Sequence, residues 1–561
     1  MWLIDASTLS LKPFYGGDIP NYAILSHTWG DDEVSFQEFA EVDKTQNAGI
    51  TSKAGYHKIV ATCEHALQDG HSYVWIDTCC VNKASSAELT EAINSMFGWY
   101  QHSQICYVFL SDFELNIPDI SSLPIEFNAA FRQCRWFTRG WCLQELLAPR
   151  HVRFLSRKWQ TVGTKSLLGR LISNITGIPE AVLSTPPRKE IWDCPIADRI
   201  SWIAKRQTTR IEDMSYSLLG ILEVNMPMLY GEGPAAFTRL QGEVIRKHND
   251  LSIFSWAGEA TPSGFLPVLA ATPSSFIGQS TTNYSRVSLG NILNTQFSLT
   301  NQGVFFPNAK LQYQNAVPGY RHQYLLDLSY MSRRSHRRYL PLQKVGPGLF
   351  IRLCDSTERQ KAFRKMFVTP PFDEDVCILH NLTNPILRQL SLWERYAVRL
   401  RWKPWEKAGQ RFWHIRTAEP RSSWDLAANQ FLLETTPVPY LYVEFVPGNY
   451  ETNPDLKYFV LEIQVGNEQS RNPAIMSIRI ISAETWLGLN RTLLGWRGRG
   501  KVLHTAQTAE SSSRISLVGY DILMSVQLVT EKSRLPYHHV YLDWKVAATE
   551  EKTSACKTVL S

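Results

Sequence analysis

The first 160 residues alternate short apolar runs with amphipathic stretches. "YAILS" (22–26), "YVWID" (73–77), "ICYVFL" (105–110) and "HVRFL" (151–155) lack the two-residue alternation of a half-solvated strand, which predicts strands covered on both faces. Between the first two, Ile59, Cys63, Ala66 and Leu67 recur at helical spacing from about Lys53, with Gly70 as the stop. "SSAELTEAINSMFGWY" opens with Ser85 and Glu88 three apart, a capping box, and carries a stripe of Leu89, Ile93, Met96 and Tyr100. "RGWCLQELLAP" (139–149) reads as a short helix. Buried strands alternating with helices predict an α/β domain built on a parallel sheet with helices on both faces.

From about Ala181 to Ala257 the periodicity is helical: Ile200, Ile203 and Ala204 are followed by Met214, Leu218 and Leu219, and Pro234 stands near the start of "GPAAFTRLQGEVIRKH". From about 262 on, strand-like segments such as "YLYVEFV" and "YFVLEIQV" are separated by Gly, Pro and Asn turns, and the tryptophan-rich stretch 391–407 is expected to be helical. The expected domains are an α/β core over 1–180, its helical extension over 181–260, and a β-rich region over 261–561 of one or two sandwich-like domains. No fixed-period repeat is present, which disfavours a propeller or solenoid.

Composition changes this picture little. The chain has 561 residues, is 44% hydrophobic and carries a formal charge of +6, which describes a folded protein and gives no reason to expect nucleic acid as a partner. The densest basic stretch, "RRSHRR" (333–338), reads as a solvated loop. Ten cysteines contain no C-x-x-C pair and several lie in apolar runs, so free thiols, a reducing cytoplasmic setting and no metal site are expected. No run approaches 18 apolar residues, so no transmembrane segment is expected. "GWRGRGK" (495–501) satisfies G-x-x-x-x-G-K, but Val502 follows where a magnesium-binding hydroxyl would stand, and it reads as a basic turn.

In a parallel sheet, ligands bind outside the carboxyl ends of the strands. The residues there are Ser26-His27-Thr28-Trp29-Gly30 after the first strand, Asp77-Thr78-Cys79 after the second, and Ser111-Asp112 after the third. Glu145, the only acidic residue of its apolar helix, follows the third strand and its loop and is placed to reach the same crevice. A helix-surface carboxylate near the first turn, favoured by the macrodipole, is the plainer reading of Glu145. Trp141 reads as core before pocket, while His27 reads equally as a structural hydrogen bonder and Asp77 as the cap of a turn. Arg206, Arg210, Glu212, Asp213 and Glu232 read as a salt-linked support, and Cys79 and Cys142 lack a sequence-adjacent histidine that would make either a nucleophile.

"YAILSHTWGDDEVSFQEF", "YVWIDTCCVNK", "EAINSMFGWYQHSQICYVFL", "RGWCLQELLAP" and "DRISWIAKRQTTRIEDMSYSLLGILEVNMPMLYGEGPAAFTRLQ" resemble, in order, the motifs of the fungal heterokaryon-incompatibility domain, over about residues 20 to 256. Proteins of that kind often continue with a nucleotide-binding NACHT module and WD repeats; neither pattern is present here. A more distant resemblance is to TIR domains, whose opening strand and loop, "L..AIE.S" helix and "S.WCL.EL" motif are similar to "ILSHTWGDDEVSF", "LTEAINSMF" and "RGWCLQEL". His27-Thr28-Trp29 departs from the TIR loop, and the segment from Asp112 to Phe137 is longer.

The two resemblances imply an effector of incompatibility or cell death with a TIR/flavodoxin-like core, homo-oligomeric on activation, with the β-rich half open to a protein partner or non-self ligand. In enzymatic TIR domains the motif glutamate splits NAD, and by motif position it falls on Glu145. NAD is then the substrate, and no cofactor is implied. Cleavage at the nicotinamide–ribose bond passes through an oxocarbenium-like state, as glycoside hydrolysis does. Nicotinamide leaves a cationic pyridinium as a neutral molecule, so no general acid is needed and one carboxylate suffices. Trp29 or Trp141 would stack on a flat ring, and Ser26, His27 and Asp77 would line the substrate. The alternative is a non-catalytic, self-associating signalling module.

Overall fold

The computed structural model describes residues 1–40, 48–114 and 125–258, with 185 and 188 excepted, and then a series of strands and short connections between Phe265 and Ala548. The chain divides into two compact units. The first comprises Met1–Pro307, Asp327–Leu340 and Cys354–Ser356, and the second Asn308–Leu326, Pro341–Leu353 and the chain from Thr357.

The first unit is built on a seven-stranded sheet. Its strands are β1 (Trp2–Asp5), β2 (Ser10–Pro13), β3 (Ala23–His27), β4 (Tyr73–Trp75), β5 (Ile105–Phe109), β6 (Val152–Leu155) and β7 (Thr161–Thr164), in the order β2-β1-β4-β3-β5-β6-β7. The four expected apolar runs form the parallel centre, with Ala23 opposite both Val74 and Ile105, and Cys106 opposite Val152. The sheet as a whole is mixed, because β1 joins β4 and β7 joins β6 antiparallel. These flanking strands escape the sequence pattern. They are four residues long and only part-buried, so no continuous apolar run marks them.

The helices are α1 (Phe36–Ala40), α2 (Ala48–Thr51), α3 (Ala54–Gln68), α4 (Ser86–His102), α5 (Ile125–Gln133) and α6 (Cys142–Leu147). Helix α3 stops where Gly70 takes a left-handed φ of 85°, and α4 starts where the Ser85 hydroxyl accepts the Glu88 amide at 3.3 Å, as the capping box predicts. Chain alternation assigns the two faces of the sheet. The hydroxyl of Tyr107 donates to His65 O and Asp69 on and after α3, whereas Tyr100 of α4 donates to Leu25 O and the Cys106 thiol reaches Glu145 O of α6. The long 112–137 segment contains α5, and an aromatic cluster of Phe113, Phe127, Phe131, Phe137 and Phe154 fixes it; Phe131 lies 5.0 Å from Phe137 and 5.4 Å from Phe154.

The helical extension consists of short pieces: α7 (Gly169–Thr176), α8 (Glu180–Leu183), α9 (Ile196–Ser201), α10 (Asp213–Tyr216) and α11 (Ala235–Lys247). It is stitched to the segment before α6: Gly140 N donates to Gln207 O at 2.9 Å and Gln207 N to Thr138 O at 2.6 Å. The expected salt-linked support forms mainly from carboxylates taking neutral donors. Glu212 accepts the amides of Gly231 and Gly233 at 2.8 and 3.1 Å, Asp213 accepts the Tyr230 hydroxyl at 3.0 Å, and the ion pair is Arg239–Glu232.

In the second unit, the strand segments 308–314, Phe372–Leu379, Leu349–Leu353, 341–346 and 323–326 follow one another, and the last returns to pair with the first, so this sheet closes like a barrel. The expected helix over 391–407 is not formed in its described part. "AVRLRW" is the strand Ala397–Trp402, pairing parallel with His538–Ala548, because its apolar residues alternate at the strand period. Residues 333–336 and 495–501 lie outside the described residues. Among the described residues no helix is long and apolar enough to cross a membrane, and no His/Cys/Asp/Glu group is placed to hold a metal ion.

The extension also meets α4 at Gly220, where an added Cβ would lie 2.1 Å from Phe97 Cβ. Gly220→Ala is therefore expected to lower the stability of the first unit by about 1–3 kcal/mol through overpacking, measured by the denaturant midpoint. In a Phe97→Gly background, which removes that Cβ as well as the ring, the cost of Gly220→Ala should be smaller; a strictly additive double variant would contradict the contact.

Candidate active site

The strand order reverses between β3 and β5. From β3 the chain passes to β4 on one side, then crosses back over to β5 on the other. Such a reversal leaves a crevice at the carboxyl ends of the two strands. Ser26 and His27 end β3 there, and strand alternation sends their side chains to opposite faces of the sheet.

On the face of α4 and α6, the Trp136 indole N–H donates to Ser26 Oγ at 2.7 Å, and the Ser26 hydroxyl donates in turn to Glu145 Oε2. All six residues of α6 are buried and Glu145 is only 6% exposed, so it does not stand on a helix surface. Burial pushes its carboxyl up to about 8, and the negative charge of Asp77 adds to this; the bonds from Ser26 and Cys142 and the charge of Arg206 oppose it incompletely. At neutral pH Glu145 is thus mainly a neutral acid. Arg206, from the helical extension, donates through one guanidinium nitrogen to Arg139 O at 2.9 Å, while its Nη2 is buried and finds no hydrogen-bond partner among the described residues. Burial raises the thiols of Cys142, Cys106 and Cys79 well above their usual range, which keeps them protonated and unsuited to nucleophilic attack.

On the face of α3, His27 Nε2 lies 3.0 Å from Asp77 Oδ1, and His27 Nδ1 lies 3.0 Å from Lys58 Nζ, which is paired with Glu33. The Trp29 indole donates to Asp77 Oδ2 at 2.7 Å, Lys83 Nζ sits 3.6 Å from the centre of its ring, and Arg135 donates to its carbonyl at 2.8 Å. Trp29 remains 45% exposed and the Asp77 carboxylate 21%. Burial works against ionisation of Asp77, but the bond and charge of His27, with Lys83 and Trp29, hold it below the usual carboxylate range.

The structure therefore brings Ser26 and Glu145 together in one group and His27, Trp29 and Asp77 in a neighbouring one. Trp141 stands apart: it is half-buried just before α6, and its side chain hydrogen-bonds Asp213 of the extension. Trp136, Lys58, Glu33, Lys83 and Arg135 complete the site and were not singled out in the sequence. Trp136 belongs to an aromatic cluster whose partners are distant in sequence, and no local pattern marks the four charged residues. Only the crowding of "CRWFTRGW" just before the Glu145 helix could have pointed to Trp136.

Residues 22–119 match the family described as heterokaryon incompatibility protein (HET). The chain is 44% identical over 236 residues to the vegetative incompatibility protein HET-E-1 of Podospora anserina, a match covering 42% of this chain and 17% of that protein. The chain thus matches well under a fifth of that relative's length. No solved structure matches.

One titration follows from the burial of Glu145. The folded chain keeps its proton to about pH 8, whereas the unfolded chain releases it near 4.5. Between these values the folded state binds more protons, so stability falls as pH rises, by up to about 1.4 kcal/mol per pH unit, and the loss is complete above the folded value. Glu145→Gln removes this dependence. Its unfolding midpoint relative to the parent chain is expected to rise steadily from pH 5 to 8; a constant difference across that range would contradict a buried neutral acid.

Proposed function

We propose, from the heterokaryon-incompatibility domain that this chain carries, that the protein is an effector of fungal vegetative incompatibility whose N-terminal domain is TIR/flavodoxin-like and cleaves NAD at the nicotinamide–ribose bond. The parallel strands, numbered by their occurrence among themselves, run 2-1-3-4, which agrees with the start of the flavodoxin-like order. The observation that carries the reading is a single carboxyl, Glu145, held by Ser26 beside the crevice where the strand order reverses.

The chemistry fits an acid that is neutral when the site is empty. The pyridinium of NAD is a cation, and a cation brought beside Glu145 favours the carboxylate. As the ribose C1–N bond breaks, its electron pair goes to the ring nitrogen and nicotinamide leaves neutral. The carboxylate then faces the ribosyl cation until water adds at C1 and gives up a proton. Ser26, fixed by Trp136, sets the rotamer of Glu145. The exposed ring of Trp29 would take a flat base, Asp77 with His27 a ribose hydroxyl, and Lys83 and Arg135 the diphosphate. Glu145 is closed to solvent as it stands, so substrate entry requires a rearrangement. Homo-oligomerisation on activation is the event we assign to it, with the β-rich half as the sensor or partner-binding element.

That same closure favours a second reading, a non-catalytic self-associating module in which Glu145 only secures α6. The two separate by incubating the full chain with NAD, dilute and after enforced self-association, alongside Glu145→Gln and Glu145→Ala. NAD loss by the assembled parent chain, reduced on the order of 10²–10³-fold in both variants, is the expected result. Equal NAD loss in all three would remove Glu145 from catalysis. No loss in any assembly, with cell toxicity retained, would establish the module.

A further inference from the structure

The opposite ends of the same strands frame a second concavity. A cavity of about 360 Å³ lies where β5 and β6 begin and β7 ends, and its lining includes Asp69, His71, His151, Arg153 and Lys165. This volume is that of a small-ligand site. The one carboxylate among these residues is already engaged: Asp69 accepts Arg153 Nη1 at 2.8 Å and the Tyr107 hydroxyl at 2.5 Å, and these bonds hold it below the usual range although burial opposes ionisation.

Lys165 is the unusual member. It is 5% exposed, yet its ammonium meets only the carbonyls of Leu146 and Pro149, at the end of α6, and no carboxylate pairs with it among the described residues. Two carbonyl dipoles at a helix end supply partial negative charge, which falls short of the counter-ion a buried ammonium calls for. Burial lowers the Lys165 amine to about 8, which still leaves it mainly charged at neutral pH. Around it, the Thr164 hydroxyl accepts from Leu167 N and keeps its own proton to donate, and the Ser166 hydroxyl adds another donor to the lining. Apart from the engaged Asp69, every charged side chain of the lining is a cation or donor, and Lys165 has no carboxylate partner among the described residues.

We propose that this cavity is an anion site for a small phosphate-bearing ligand, with Lys165 as the central cation, Arg153 beside it and His71 and His151 at the rim. A phosphate group only accepts hydrogen bonds and presents oxygens in several directions, which matches donors supplied by β6, by β7 and the residues after it, and by the connections that carry His71 and His151. Lying at the amino ends of the strands, the site is separate from the Glu145 crevice and does not depend on NAD being a substrate.

The test is calorimetric titration of the full chain with inorganic pyrophosphate at fixed ionic strength, with citrate as a non-phosphate anion. Saturable binding with a Kd below about 1 mM is expected, weakened roughly tenfold or more in Lys165→Met. Because Lys165 also holds the end of α6, the milder His71→Ala/His151→Ala double variant serves as the second probe; the two imidazoles make no hydrogen bond among the described residues, and about threefold weaker binding is expected. Arg246→Ala, an exposed cation of α11, should bind as the parent does. Absence of saturable binding, unchanged affinity in both cavity variants, or equal weakening by Arg246→Ala would overturn the site. Citrate binding as tightly as pyrophosphate would overturn its assignment to phosphate.

Discussion

A carboxyl on a helix whose every residue is buried has to be neutralised, hydrogen-bonded, or both, and the centre of the first unit is arranged around that requirement. Glu145 keeps its proton because burial and the nearby Asp77 charge outweigh its donors. It keeps its position because Ser26 reaches it from the tip of β3, fixed in turn by Trp136. Trp136 is held by Phe137 and Phe154 with ring centres 5.1 and 5.7 Å away, which makes the aromatic cluster over α5 part of the same device. Arg139 and Gly140, which lead into α6, are anchored by Arg206 and Gln207. Core packing, strand pairing and the helical extension all converge on one side chain.

The parity of a single strand divides what lies around it. Ser26 and His27 are neighbours in sequence, yet one serves a dry acid between sheet and α6 while the other serves a wet ion network between sheet and α3. Asp77 sits between the two, bonded to His27 and felt electrostatically by Glu145. The charge of Asp77 therefore links the two groups through space.

The central strands and the long helices were legible because their signals are local. Apolar runs of four or five residues mark β3, β5 and β6, and Ser85 with Glu88 marks the start of α4. The strands β1, β2 and β7 carry no such signal, since their pairing depends on neighbours supplied by the rest of the sheet. Of the site, position after a strand was enough to single out Ser26, His27, Trp29 and Asp77, and motif resemblance singled out Glu145. Position could not foretell that Glu145 is buried, because its charge argued for a surface. Nor could it foretell that Trp141 engages Asp213, or that Trp136, five residues earlier, supplies the indole that Ser26 needs. Those choices are made by the rotation of a six-residue helix and by partners more than 60 residues away.

The bridge between residues 138–140 and Gln207 sets where such a domain can be divided. A chain cut after β7 or α8 would retain the whole sheet, yet it would leave the lead-in to α6 with an open backbone edge and the Arg139 carbonyl without its guanidinium. Sheet and extension are thus one indivisible piece: any fragment or fusion meant to keep α6 in place has to carry the chain beyond Gln207.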